Sequence, residues 1–143
     1  GSQAVQISTT STSTLRFGAS LTISADATLL GPANITTIFS DNLNNSGHFS
    51  FSNGTQSFEK TSGTQTIQVN TNDFFYNLKI NSGGTVSAAG TLVLRKNLIN
   101  SNPSENSLGT GTVQFTGTTG QSVSGLNLFQ NLLLINSAGL TLS

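Results

Sequence analysis

Apolar residues along this chain seldom stand together and never settle into helical spacing. Leu15-Arg16-Phe17, Leu21-Thr22-Ile23, His48-Phe49-Ser50-Phe51, Ile67-Gln68-Val69, Leu78-Lys79-Ile80 and Val113-Gln114-Phe115 alternate with a period of two. Such alternation turns one face of a strand into a core and leaves the other in water. Leu92-Val93-Leu94 and Leu132-Leu133-Leu134-Ile135 are continuous apolar runs and predict strands buried on both sides. Turn residues divide the runs: Asn53-Gly54, Ser82-Gly83-Gly84, Ala89-Gly90, Gly109-Thr110-Gly111, Thr119-Gly120 and Ala138-Gly139. Glycine reaches positive φ without steric cost, and Asn tolerates it better than most residues. No longer stretch carries an amphipathic helical pattern with caps. The chain reads as all-β.

The strand pattern also repeats. Phe75-Tyr76-Asn77-Leu78-Lys79-Ile80-Asn81-Ser82 is echoed by Phe129-Gln130-Asn131-Leu132-Leu133-Leu134-Ile135-Asn136-Ser137, and Phe75 and Phe129 stand 54 residues apart. Upstream, Gly63-Thr64-Gln65-Thr66-Ile67 matches Thr119-Gly120-Gln121-Ser122-Val123. Gly47-His48-Phe49-Ser50-Phe51 matches Gly111-Thr112-Val113-Gln114-Phe115 at a spacing of 64. The first copy thus holds about ten extra residues, and we place them near 58–62. This divides the chain into an N-terminal β segment, cap or partial repeat (1–46), a first repeat (47–108) and a truncated second repeat (109–143). Imperfect repeats of 54–64 residues predict a β-solenoid, parallel and β-helix-like, in which each unit buries an apolar column against the next. An antiparallel β-sandwich also fits turns of this frequency, but gives no reason for a tandem repeat. On the solenoid reading, Phe75, Asn77 and Leu78 occupy rungs equivalent to those of Phe129, Asn131 and Leu132. Asn77 and Asn131 are then either simple turn positions or members of an amide ladder that satisfies neighbouring coils.

Composition narrows the functional classes. Of 143 residues only 7% are charged, and Lys and Arg balance Asp and Glu at five each. A neutral chain has no electrostatic pull toward nucleic acid or an anionic membrane. The apolar share is 34%, with nine Phe, too high for the composition of disorder. Cys, Met and Trp are absent, which excludes disulfides and thiolate metal sites. No run is long and apolar enough for a membrane helix. Gly1-Ser2 reads as a cloning remnant, and the chain stops where the second unit is expected to continue, so the sequence predicts an open edge covered by a neighbouring repeat or another copy.

Candidate chemistry is sparse. Asp26, Asp41, Glu59, Asp73 and Glu105 are scattered, without the paired carboxylates of a glycosidase or an activated nucleophile. Asp73 beside Asn70 and Asn72 offers oxygen ligands for Ca²⁺, but one carboxylate is thin for a hard cation; a solvated turn is the simpler reading. His48, the sole histidine, faces outward from its strand with no acid next to it in sequence. Gly109-Thr110-Gly111 lacks the Lys of a phosphate loop, and Arg95-Lys96 is too small a basic patch for nucleic acid. We therefore expect no catalytic residue, no metal and no cofactor. Phe74-Phe75-Tyr76 is the densest aromatic cluster. Phe75, matched by Phe129, belongs to the core, leaving Phe74 and Tyr76 as candidate rings for stacking on a sugar. Thr9–Thr14 and Thr61–Thr66 hold the ingredients of an ice-binding threonine array, but without spacing repeated in register from coil to coil.

Gly111–Ser143 resembles the strand-rich repeats of very large secreted bacterial surface proteins. There, variants of G-T-x-x-F-x-G-x-x-x-Q-x-I-x-G, F-x-N-L-x-I-N and a Gly-Val-Thr-Leu-type strand recur many times, often alongside sorting domains for type IX secretion. The resemblance extends over about Gly47–Ser143. It implies a non-catalytic spacer or adhesin on the cell surface, with neighbouring repeats, copies of itself or surface glycans as partners and no nucleic acid or membrane insertion. A carbohydrate-binding module is the alternative, and an ice-binding β-solenoid the third reading.

Overall fold

A computed structural model describes residues 3–7, 14–103, 106–108 and 111–143. Short parallel strands wind into a three-sided coil of about six turns. β1 (Gln3–Gln6) precedes a first full coil of β2 (Leu15–Phe17), β3 (Leu21–Ile23) and β4 (Ala27–Leu30). The second coil comprises β5 (Thr36–Phe39), β6 (Leu43–Asn45) and β7 (His48–Ser50). The third comprises β8 (Thr55–Phe58), β9 (Thr64–Gln68) and β10 (Phe74–Phe75). Next come β11 (Asn77–Ile80), β12 (Thr85–Ala89) and β13 (Thr91–Leu94), then β14 (Leu98–Asn100), β15 (Asn106–Ser107) and β16 (Thr112–Phe115). The last full coil holds β17 (Gln121–Ser124), β18 (Asn127–Leu128) and β19 (Asn131–Leu134), and β20 (Leu140–Leu142) opens another.

Each strand pairs with the strand one coil away. The first face is an unbroken seven-stranded sheet, β2-β5-β8-β11-β14-β17-β20. The second runs β3-β6-β9-β12 and is continued by β15-β18; the third is split into β1-β4-β7 and β10-β13-β16-β19. Every pairing among the described residues is parallel, which rules out the antiparallel sandwich.

The period-two pattern explains the core directly. Leu78 and Ile80 turn inward and are fully buried, as are Leu92, Leu94, Val113 and Phe115 on the third face. Because the coils stack in register, like side chains form columns. Phe17, Phe39 and Phe58 occupy one column, with ring centroids 5.5 and 4.8 Å apart and planes tilted by only 17° and 14°. Phe75 closes the column's flank, edge-on to Phe58 at 5.8 Å and tilted against Phe49 at 5.2 Å. Offset and edge-on packing of this kind adds to the area each ring buries.

Register also revises the repeat. Gly47–Phe51 and Gly111–Phe115 carry β7 and β16, nine strands and so three full coils apart, on the same face. Asn77–Ile80 is β11 on the first face, whereas Asn131–Leu134 is β19 on the third, eight strands away. Phe75 and Phe129 are therefore not on equivalent rungs. The extra residues placed near 58–62 are one strand with its corner, β8 and the turn that follows it, and Phe58 is fully buried. A three-sided coil has three similar corners, so one strand–corner–strand phrase serves at any of them.

One further expectation changes. Leu132-Leu133-Leu134-Ile135 is exposed by 45–58% rather than buried, because β19 ends its sheet and nothing among the described residues stacks above it. Of the threonines of 61–66, Thr64 alone meets a threonine, pairing with Thr85, while Thr66 pairs with Ser87, both outward on the second face, and the hydroxyls of Thr64 and Thr85 are 3.1 Å apart. The Thr9–Thr14 stretch lies outside the described residues except for Thr14.

Close stacking makes several glycines indispensable, Gly111 among them. Gly90 turns the corner between β12 and β13 at φ 83°, and a Cβ on Gly111 in the next coil would lie 1.6 Å from the Gly90 carbonyl oxygen. Gly120, by contrast, has open space around it. Gly111→Ala is expected to lower the melting temperature by roughly 5 °C or more, since the two rungs must separate. Gly120→Ala should shift it by no more than about 2 °C; equal effects in thermal melts would contradict the stacking described.

Candidate functional site

At each corner the chain leaves the ladder of its sheet, and backbone carbonyls there need other donors. Two corners solve this identically. In the first, the buried Gln65 side chain donates to Phe39 O at 2.8 Å and Asp41 O at 2.7 Å, and its Oε1 accepts from Lys60 N at 3.0 Å. In the second, Gln121 donates to Leu94 O at 3.1 Å and Lys96 O at 2.6 Å, and accepts from Gly117 N at 2.8 Å. The asparagines agree as well: Asn42 Oδ1 accepts from Thr66 N, and Asn97 Oδ1 from Ser122 N, both at 2.9 Å. The first corner follows β5 and β8, the second β13 and β16. They are one device used at two edges of the coil.

Their charges differ. In the first corner Lys60 Nζ donates to Asp41 Oδ1 at 2.7 Å, and Arg16 meets Ser40 Oγ at 2.7 Å and Glu59 at 3.5 Å. The bond from Lys60, helped by one from the Ser20 hydroxyl, holds the partly exposed Asp41 carboxyl below its usual pKa. In the second corner the Arg95 guanidinium lies 3.5 Å from the centre of the Phe74 ring, a cation–π contact. Lys96 Nζ donates to Thr119 Oγ1 at 2.7 Å. Neither cation meets a carboxylate among the described residues. With Tyr76 and Thr116–Thr119 they line an open groove of about 430 Å³.

The two rings singled out from the sequence thus meet the same feature. Phe74 faces outward from β10 and carries Arg95, while Tyr76 lines the groove. Phe75 and Leu78 are core residues. Asn77 does belong to a ladder, donating to Gly54 O at 3.0 Å and accepting from Asn97 N at 3.3 Å, but its neighbour in that ladder is Asn97 rather than Asn131. Asn131 and Leu132 are exposed on the last rung, and Phe129 packs, partly buried, against the core. From the sequence Arg95-Lys96 is weighed only as a basic patch for nucleic acid, and the threonines beside it carry no signal; the visible trace is the shared Gln phrase, which locates the corner they sit on.

His48 is not isolated from acid. Its Nδ1 lies 3.2 Å from Asp73 Oδ1, although 25 residues separate them. Asp73 is buried, and its other oxygen accepts from Asn45 Nδ2 at 2.5 Å and Phe49 N at 3.1 Å. The carboxylate is therefore engaged in holding a corner, with Asn70 closing the turn beneath it through a bond from Asp73 N to Asn70 O. Both of its oxygens are taken up by Asn45, His48 and the Phe49 amide. Among the described residues no three His, Cys, Asp or Glu side chains cluster as metal ligands.

Gln121→Leu strips two carbonyls and an amide of their partners and is expected to cost about 3 kcal/mol, a drop in melting temperature of roughly 10 °C; the exposed Gln68→Leu should be nearly silent. The lowered Asp41 pKa sets a pH signature. Its contribution is complete above the usual carboxylate value of about 3.9 and is lost as pH falls through the lower folded value. Melting curves of the parent and Asp41→Asn should differ at neutral pH and converge on acidification.

No family model matches the chain, and neither a curated protein nor a solved structure is significantly similar to it.

Proposed function

We propose that the chain is a non-catalytic structural and adhesive module of an exported bacterial surface protein, acting as a rigid spacer outside the cell. The observation that carries this reading is the uninterrupted first face, seven strands in sequence without a break. Each coil advances the axis by about 4.8 Å, so about six turns span roughly 29 Å. Interactions are nearly all between adjacent coils, and stability therefore grows with length while the cross-section stays constant. Outward Ser, Thr and Asn supply solubility with little charge, and the resemblance of Gly111–Ser143 to surface-protein repeats points to the same setting.

Copies of the chain are the proposed partner of the last rung. There Leu132, Leu134 and Leu142 continue the columns of Val113, Phe115 and Val123 and remain 46, 47 and 71% exposed. Sedimentation should show association increasing with concentration, and a strictly monomeric chain at high concentration would remove this partner.

A second reading, ice binding, is favoured by the in-register pairs Thr64–Thr85 and Thr66–Ser87. Thermal hysteresis abolished by Thr66→Tyr would establish it. The spacer reading instead expects no hysteresis and no turnover of a panel of polysaccharides and esters. Turnover that disappears in Asp73→Asn, in a variant that still melts cooperatively, would overturn it.

A further inference from the structure

We propose that the Gln121-clamped corner binds an acidic saccharide, with a carboxylate or sulfate held between Arg95 and Lys96 and a sugar ring laid on Tyr76. This deepens the adhesive reading and rests on it in one respect only, that the site binds without turning its ligand over.

The chain builds the same corner twice, with the same glutamine clamp and the same asparagine bond. At the Gln65 corner the cations are neutralised in place by Asp41 and Glu59. At the Gln121 corner, matched to the first through the clamped carbonyls, Arg95 and Lys96 stand where Ser40 and Asp41 stand there, Gly117 takes the place of Lys60, and the partners of the two cations are a phenyl ring and a hydroxyl. Neither partner cancels charge. Both hold the cation still, which reduces the ordering cost of binding an anion.

The scaffold aims them as well. Gln121 bonds the carbonyls of Leu94 and Lys96, on either side of Arg95. Tyr76 O accepts from Lys96 N at 2.9 Å, fixing the bend that carries the ring beside the same corner. With one face on Phe74, the guanidinium keeps its edge donors free for a bidentate oxyanion.

Ligand class follows from the lining. Two cations neutralise too few phosphates to hold a nucleic acid. A groove of about 430 Å³ lined by Thr116, Thr118 and Thr119 beside the two cations suits a small, hydroxyl-rich ligand better than an apolar peptide. An aromatic face beside hydroxyls and cations matches the alternating C–H faces, hydroxyls and anionic groups of an acidic sugar.

The chain has a built-in reporter, because Tyr76 is its only Tyr and Trp is absent. Tyrosine emission should be titrated with tetragalacturonate, sulfated maltotetraose and neutral maltotetraose. At least one acidic probe is expected to give a saturable change that weakens with added salt, and which of them does so tells carboxylate from sulfate. Arg95→Gln with Lys96→Gln should weaken it about tenfold or more, Lys96→Gln alone by roughly half that on a logarithmic scale, and Lys60→Gln at the neutralised corner not at all. Circular dichroism verifies that the variants fold; if the double variant does not, Lys96→Gln decides. No saturable response to either acidic probe, an equal response to the neutral one, or an equal loss in Lys60→Gln would overturn the proposal. Those failures leave the non-catalytic reading standing, whereas turnover of a probe would overturn that reading whatever the affinity.

Discussion

A parallel coil must satisfy the polar backbone at its corners, where the chain leaves one sheet and has not yet joined the next. Within the faces each amide finds a carbonyl one coil away, but at the corners carbonyls such as Leu94 O and Lys96 O depend on side chains. Leaving a buried carbonyl unpaired costs more than a typical hydrogen bond gains on balance. Gln65, Gln121, Asn42, Asn77 and Asn97 meet that demand with amides, which both donate and accept and so bridge one coil to another. The polar, weakly charged composition is in this sense the internal wiring of the fold as well as its solvent coat.

Once corners are held by side-chain amides, the residues facing outward from them are free to vary. The Gln65 corner uses that freedom to neutralise itself through Lys60–Asp41 and Arg16–Glu59. The Gln121 corner uses it to present Arg95, Lys96 and Tyr76 around one groove. Surface ion pairs of the first kind contribute little to stability, so the difference between the corners concerns what each offers to solvent. The His48–Asp73 pair belongs with the structural corners, since Asp73 also holds Asn45 and the amide of Phe49.

Much of the fold was legible because alternation is a local property. Val113-Gln114-Phe115 or Leu78-Lys79-Ile80 declares which side is apolar, and parallel stacking then turns those sides inward. Leu132–Ile135 misled because a continuous apolar run has the same local appearance at a buried rung and at a terminal one. The candidate site was half visible: Phe74 and Tyr76 were aromatic residues with a face to spare, but Arg95, Lys96 and Thr119 reach them only through the stacking of successive coils.

The sequence by itself determined that this chain is built of short strands and glycine corners, and that a Phe-x-Asn-Leu phrase and a Gln phrase recur. Tertiary structure decided the phase. Phe75 and Phe129 share a phrase, yet the strands that follow them, β11 and β19, lie on different faces, since they are eight strands apart in a coil with three strands per turn. The physical reason is that a strand–corner–strand unit is specified by nearby residues, whereas its face is set by how many strands precede it. That count also brings His48 to Asp73 and places Arg95 over Phe74, contacts for which no local pattern exists.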